Sequence, residues 1–182
     1  MCVCSAANCT DRLIQQNDGS GSMNRPWAEY KVGFGDPSGN YWLGNDQLSQ
    51  LTANNRYKLK FDLQQRSTGK WYYAEYSTFR VMSEAYNYQL QVGGYSGNAS
   101  YDAFGYQNRQ KFSTFDRDND GHRSGNCAAS LGGGFWYRGC ALCSVNAAGS
   151  TSTFFWDSLP GDDWRDYGGR SLQSTRMWLK CK

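Results

Sequence analysis

From Gly93 to Gly169 the chain is mostly glycine, serine, asparagine and aspartate, punctuated by aromatic residues. No helical or strand period runs through it. Structureless connections in compact domains rarely exceed about 15 residues, so a segment this long must be held by disulfides, a metal ion or both. That requirement constrains the fold more than any other feature. It gives weight to the seven cysteines and to the acidic stretch KFSTFDRDNDGHRSGNC, Lys111–Cys127, which also carries the only histidine, His122.

The first half is more regular. Tyr57, Leu59, Phe61 and Leu63 alternate with polar residues, and Tyr86–Val92 alternates in the same way. Between them Lys70–Met82 reads as two strands after a Ser-Thr-Gly turn. Asn45 opens a short helix with Leu48 and Leu51 on one face. Residues 1–26 read as irregular, with a turn cluster at Asn17–Asn24, and Thr175–Cys181 is apolar enough to return to the sheet. The pattern predicts an α+β fold, an antiparallel meander with helices to one side, in a single domain spanning residues 1–182. Residues 93–170 form its loop-rich subdomain.

Charge narrows the function. The net charge is +3 with lysines and arginines scattered, which argues against a nucleic-acid partner. No apolar run approaches the ~20 residues of a membrane span. Seven cysteines and two acceptor sequons, at Asn8 and Asn98, favour a secreted, extracellular glycoprotein. The opening MCVCSAANC shows no leader peptide.

Asp116, Asp118, Asp120 and Gly121 match the first half of an EF-hand loop, but Cys127 stands where its bidentate glutamate belongs. The oxygen-rich chemistry still suits a hard cation such as calcium; the alternative is a solvated polar turn. Cys140-Ala-Leu-Cys143 lacks the strand-to-helix setting of a redox motif and a second pair for zinc. With one histidine and no G-x-S-x-G turn, the protein is not expected to be an enzyme.

Several collinear motifs carry a closer likeness. Trp27–Gly35, YWLGNDQLSQLT, YAEYSTFRVMSE, YQLQVGGYSGNA, KFSTFDRDND, NCAAS…FWYRGC and SLQSTRMWLK together resemble the fibrinogen C-terminal globular domain family, which includes ficolins and tachylectins. The resemblance covers about residues 12–180, leaving residues 1–11 as a divergent, cysteine-rich N-terminus. It implies a twisted antiparallel sheet, a calcium site, and a Cys127–Cys140 disulfide with a cis Gly139–Cys140 peptide. Asp118 and Asp120 would supply side chains, and His122 and Ser124 backbone carbonyls, with Asp116 in support. Counting back from Cys127 selects Arg123 and Gly125 as the carbonyl donors instead.

Lectins of the family hold acetylated sugars in an aromatic pocket beside that disulfide. Here Ala141 replaces the usual histidine, Leu131 replaces an aromatic residue, and the stretches around Tyr167 and Ala147–Gly161 are shortened. Leu131, Trp136, Tyr137, Cys140, Ala141, Phe155, Trp156, Trp164 and Tyr167 are the remaining contact candidates. Cys2, Cys4, Cys9, Cys143 and Cys181 have no assigned partners, and pair within the protein or between protomers. The resemblance implies a secreted, calcium-stabilised lectin that binds glycans or glycoproteins. The alternative is a structural or adhesive protein using protein–protein contacts and disulfide-linked assembly into a homo-oligomer.

Overall fold

Alternation decides the centre of the sheet. In β4, Tyr57–Gln65, every second residue is buried and its neighbours are half-buried. The computed structural model describes residues 9–99, 101–149, 152–161 and 172–182. β4 pairs antiparallel on one side with β5, Trp71–Val81, and on the other with β11, Leu172–Cys181. Beyond β5 lies β6, Leu90–Gly97; beyond β11 lies β1, Arg12–Asn17. Two short strands, β2 at Phe34–Gly35 and β3 at Tyr41–Trp42, complete a seven-stranded antiparallel sheet in the order β2-β3-β1-β11-β4-β5-β6.

Helices α1, Trp27–Val32, and α2, Asn45–Thr52, add the expected helical minority. The second matches the helix predicted from Asn45; Leu48 is buried and Leu51 half-buried. The last strand also forms as expected. Three other expectations change. Lys70–Met82 holds one long strand, Trp71–Val81, not two. The Tyr86–Val92 strand begins only at Leu90, because Glu84–Tyr86 is a 3₁₀ turn and Asn87 and Tyr88 adopt positive φ. Residues 12–17 are a strand inside the sheet. Their polarity hid them: Gln15 and Asn17 are buried, and both donate to the Val145 carbonyl, while Gln15 also bonds Thr175 Oγ1 at 2.9 Å. Buried amides of this kind are tolerated only when bonded, since an orphan costs ~1–3 kcal/mol.

The later segment has more structure than its composition suggests. A hairpin joins β9, Cys143–Gly149, to β10, Ser152–Trp156. A two-residue ladder pairs β7, Phe112–Ser113, with β8, Phe135–Trp136, and a single helical turn, α3, occupies Cys127–Leu131. This unit packs on one face of the sheet through aromatics. Phe61 lies 5.0 Å from Phe104 and 5.1 Å from Trp156 between ring centroids, and Phe104 continues to Phe135 and Trp136. The other face carries Lys58, Lys60, Asp62, Trp71, Tyr73, Arg176 and Trp178, none of them in the buried core.

Candidate functional site

The acidic loop runs between β7 and α3, and its neighbours fix both ends. Thr114 and Arg117 exchange backbone hydrogen bonds, closing a tight turn. Asp116 Oδ1 accepts from Thr114 Oγ1 at 2.7 Å and from the Trp27 backbone N–H at 2.9 Å, so it holds the first turn of α1. Asp116 Oδ1 is thus engaged with the protein's own donors at Thr114 and Trp27. The Arg117 guanidinium lies 4.0 Å over the Trp27 ring, bonds Asn87 Oδ1 at 2.8 Å and approaches Glu84 at 3.7 Å. Glu84 also receives the Trp27 indole N–H and pairs with Lys31. The Lys31 ammonium, then the indole N–H, hold the Glu84 carboxyl below its ordinary range.

Beyond this latch the loop folds on itself. Asp118 Oδ1 accepts from the Asp120 N–H at 3.1 Å. Asp120 accepts from the His122 N–H at 2.7 Å through one oxygen and from the Cys127 N–H at 2.8 Å through the other. Asn119 donates to the Phe112 carbonyl, and Asn126 caps α3 through the Ala129 N–H. Gly121 presses on the far wall, where a Cβ would run into the Arg138 carbonyl.

Asp118 and Asp120 therefore sit side by side, and among the described residues neither has an ion-pair partner. Each carboxylate oxygen has two lone pairs, so the backbone bonds leave acceptor capacity unused. The donor set is oxygen only, with exposed His122 and Ser124 on the same loop to offer carbonyls. It fits a hard cation such as calcium and not a transition metal. No cluster of three or more histidine, cysteine, aspartate or glutamate side chains suited to a metal occurs among the described residues.

The Cys127–Cys140 disulfide closes at the end of the loop, with the Cys140 N–H directed at Cys127 Sγ. The expected cis Gly139–Cys140 bond is absent; that peptide is trans. The backbone turns instead at Cys140, whose φ is +54°, with the Arg138 N–H donating to the Cys140 carbonyl. A second disulfide, Cys9–Cys181, joins the two ends of the described residues and settles two of the unassigned cysteines. Cys143 is a free, buried thiol, so it links no protomers, and burial pushes its pKa well up. Cys2 and Cys4 lie outside the described residues.

Among the described residues, three of the aromatic contact candidates lie in the core. Trp136, Tyr137 and Trp156 are 0% exposed. Trp136 donates its indole N–H to the Tyr88 carbonyl and Tyr137 its hydroxyl to the Gly133 carbonyl, so both are core residues. Leu131, Cys140 and Ala141 are half-buried around the disulfide, and Phe155 is half-buried on β10. Trp164 and Tyr167 lie outside the described residues, as does Asn8 of the first sequon. Asn98 is exposed, with its Oδ1 accepting from the Tyr73 N–H at 2.7 Å. The interlock of Trp27, Glu84 and Arg117 is invisible to local sequence patterns; its parts lie 57 residues apart in the Trp27–Glu84 pair alone.

Comparison with known proteins bears on this geometry. The profile of the C-terminal globular domain of fibrinogen beta and gamma chains matches residues 3–182. Fibrinogen-like protein A of Apostichopus parvimensis is 39% identical over 153 residues, covering 80% of this protein and 53% of its own length. Angiopoietin-4 of Bos taurus is 38% identical, covering 92% of this protein and 34% of its own length. The protein thus spans about half or less of these relatives' lengths. The fibrinogen-like globe domain of human ANGPTL2 superposes with a TM-score of 0.83 at 35% identity, covering 94% of this protein and 80% of that one. Lamprey fibrin D-dimer, solved in complex with the peptide ligand Gly-His-Arg-Pro-amide, gives 0.75 at 30% identity over 92% and 60%. Sequence profile, relatives and solved structures agree: the protein belongs to the fibrinogen C-terminal globular domain family.

Proposed function

We propose that this domain is an extracellular, non-catalytic recognition module that contacts a protein partner through its loop-rich end, with calcium stiffening that end. The observation that carries the reading is the full burial of Trp136, Tyr137 and Trp156, which removes these three aromatic walls from a sugar pocket. The replacement of the usual histidine by Ala141 acts in the same direction. The solved lamprey relative with a peptide ligand supports a peptidic partner over a glycan. Two disulfides support an oxidising compartment. Asp118 and Asp120 would hold the ion, with the carbonyls of His122 and Ser124, and calcium would add charge-neutralising cross-links to a loop already tied to α1. Disulfide-linked assembly would fall to Cys2 and Cys4.

A glycan array, probed with calcium and with chelator, tests the choice. Silence in both conditions is the expected result; saturable calcium-dependent binding to any glycan overturns the protein-contact reading. Calcium itself is tested by melting temperature, which should rise on adding the ion and stay flat in D118N.

A further inference from the structure

The sheet face turned away from the loops bears an aromatic and cationic patch that the loop-end reading leaves unused. Trp71 and Tyr73 project from β5 and remain 46% and 42% exposed. They stand two residues apart, about 7 Å along the strand. Register sets Tyr73 opposite Asp62 on β4, and Asp62 opposite Arg176 on β11. From β11 the Arg176 side chain reaches across β4 and places its Cζ 5.5 Å from the Trp71 ring centroid. Lys60 Nζ lies 5.9 Å from the Tyr73 centroid, and the Trp178 indole donates to Asp62 at 2.9 Å.

The charges around this patch are unequally matched. Lys60 pairs with Asp62 at 2.8 Å, Lys58 with Glu75 at 2.7 Å, and Lys180 with Asp11. Arg176 has no carboxylate and no hydrogen-bond acceptor among the described residues, and its Nε is buried without a partner. Its terminal nitrogens remain open. A guanidinium lodged beside an indole keeps its planar donor fork, which is matched to a carboxylate. Arginine, tryptophan and tyrosine together are the residue types enriched where protein interfaces concentrate their binding energy.

We infer that this face docks an acidic segment of a partner protein: Arg176 clamps one carboxylate, and an adjoining apolar side chain lies on Trp71 and Tyr73. A second copy of this protein fits less well. On a two-fold interface the same face would offer only carboxylates that already hold lysines. A polyanion also fits less well, because one unmatched cation would be flanked by Asp62 and Glu75.

The test is selection of a random peptide library, displayed on phage, against the whole protein, with R176Q and W71A as parallel baits. The wild type should enrich peptides with aspartate or glutamate beside an aliphatic or aromatic residue. Synthetic versions should bind about tenfold more weakly to R176Q and to W71A, and equally well to D118N. R176K keeps the charge without the fork and serves if R176Q does not fold; it too should weaken binding. Binders lacking an acidic residue, binders indifferent to both Arg176 variants, or no Arg176-dependent binder at all overturn the inference. So does a dimer in sedimentation velocity that R176Q dissolves, which assigns the face to a second copy.

Discussion

Asp118 and Asp120 stand two positions apart and have different duties. Asp120 satisfies two backbone donors, at His122 and Cys127, whereas exposed Asp118 satisfies one. With calcium chelated, D120A should cost ~1–3 kcal/mol, because the Cys127 N–H is left beside a buried sulfur. D118A should stay within about 0.5 kcal/mol under the same conditions. Urea midpoints in chelator measure both. Cys143 illustrates the opposite kind of residue: its thiol is buried and bonded to Gln107, and burial keeps it protonated. It should resist iodoacetamide in the folded protein and react once the fold is lost, as mass spectrometry of the labelled peptide would show. The odd cysteine count left at least one without a partner within the chain, but not which, because nothing local marks Cys143 as a buried, unpaired thiol.

At the scale of elements, the Arg117–Trp27–Glu84 latch couples the acidic loop to α1 and to the 3₁₀ turn at Glu84–Tyr86. The Glu84 carboxyl is held below its ordinary value of 4.5 in the folded state. Its contribution is therefore fully present above that value and is lost as pH falls through the lower, folded one. The melting temperature of E84Q should accordingly fall less steeply than that of the wild type below about pH 4.5. R117Q should loosen the loop without unfolding the sheet, seen as faster amide exchange from residue 114 to 122. Much of the element pattern was legible: β4 announces itself because its inward residues are apolar and its outward ones charged. β1 did not, since beside Ile14 its buried side chains are amides, and those of Gln15 and Asn17 find partners more than 125 residues away in β9. Trp136, Tyr137 and Trp156 are buried for a related reason. Trp136 and Trp156 look like pocket walls in a glycine-rich context, yet it is this scarcity of other apolar residues that draws them into the core.

For the molecule as a whole, the order of the sheet matters more than any single contact. β11 is the last strand in sequence yet lies between β1 and β4, so the sheet cannot close until the final residues are in place. Deleting residues 172–182 should leave a polypeptide without cooperative unfolding, checked by circular dichroism on heating. The likeness to the fibrinogen family made the acidic loop and the Cys127–Cys140 bridge legible from the sequence. It could not reach the Cys9–Cys181 pair, because residues 1–11 depart from the family's usual pattern. That bridge spans 172 residues and ties the start of β1 to the end of β11. Its removal by C9S/C181S should cost about 2–5 kcal/mol, read from denaturant midpoints. The same bridge sets how the module behaves under tension. A pull applied outside residues 9 and 181 passes from one flank to the other through a single covalent bond, so the fold between them feels almost none of it. Under oxidising conditions the domain would act as a short inextensible link, and only a reductant would let it release its roughly 600 Å of stored length, from a separation of 172 residues.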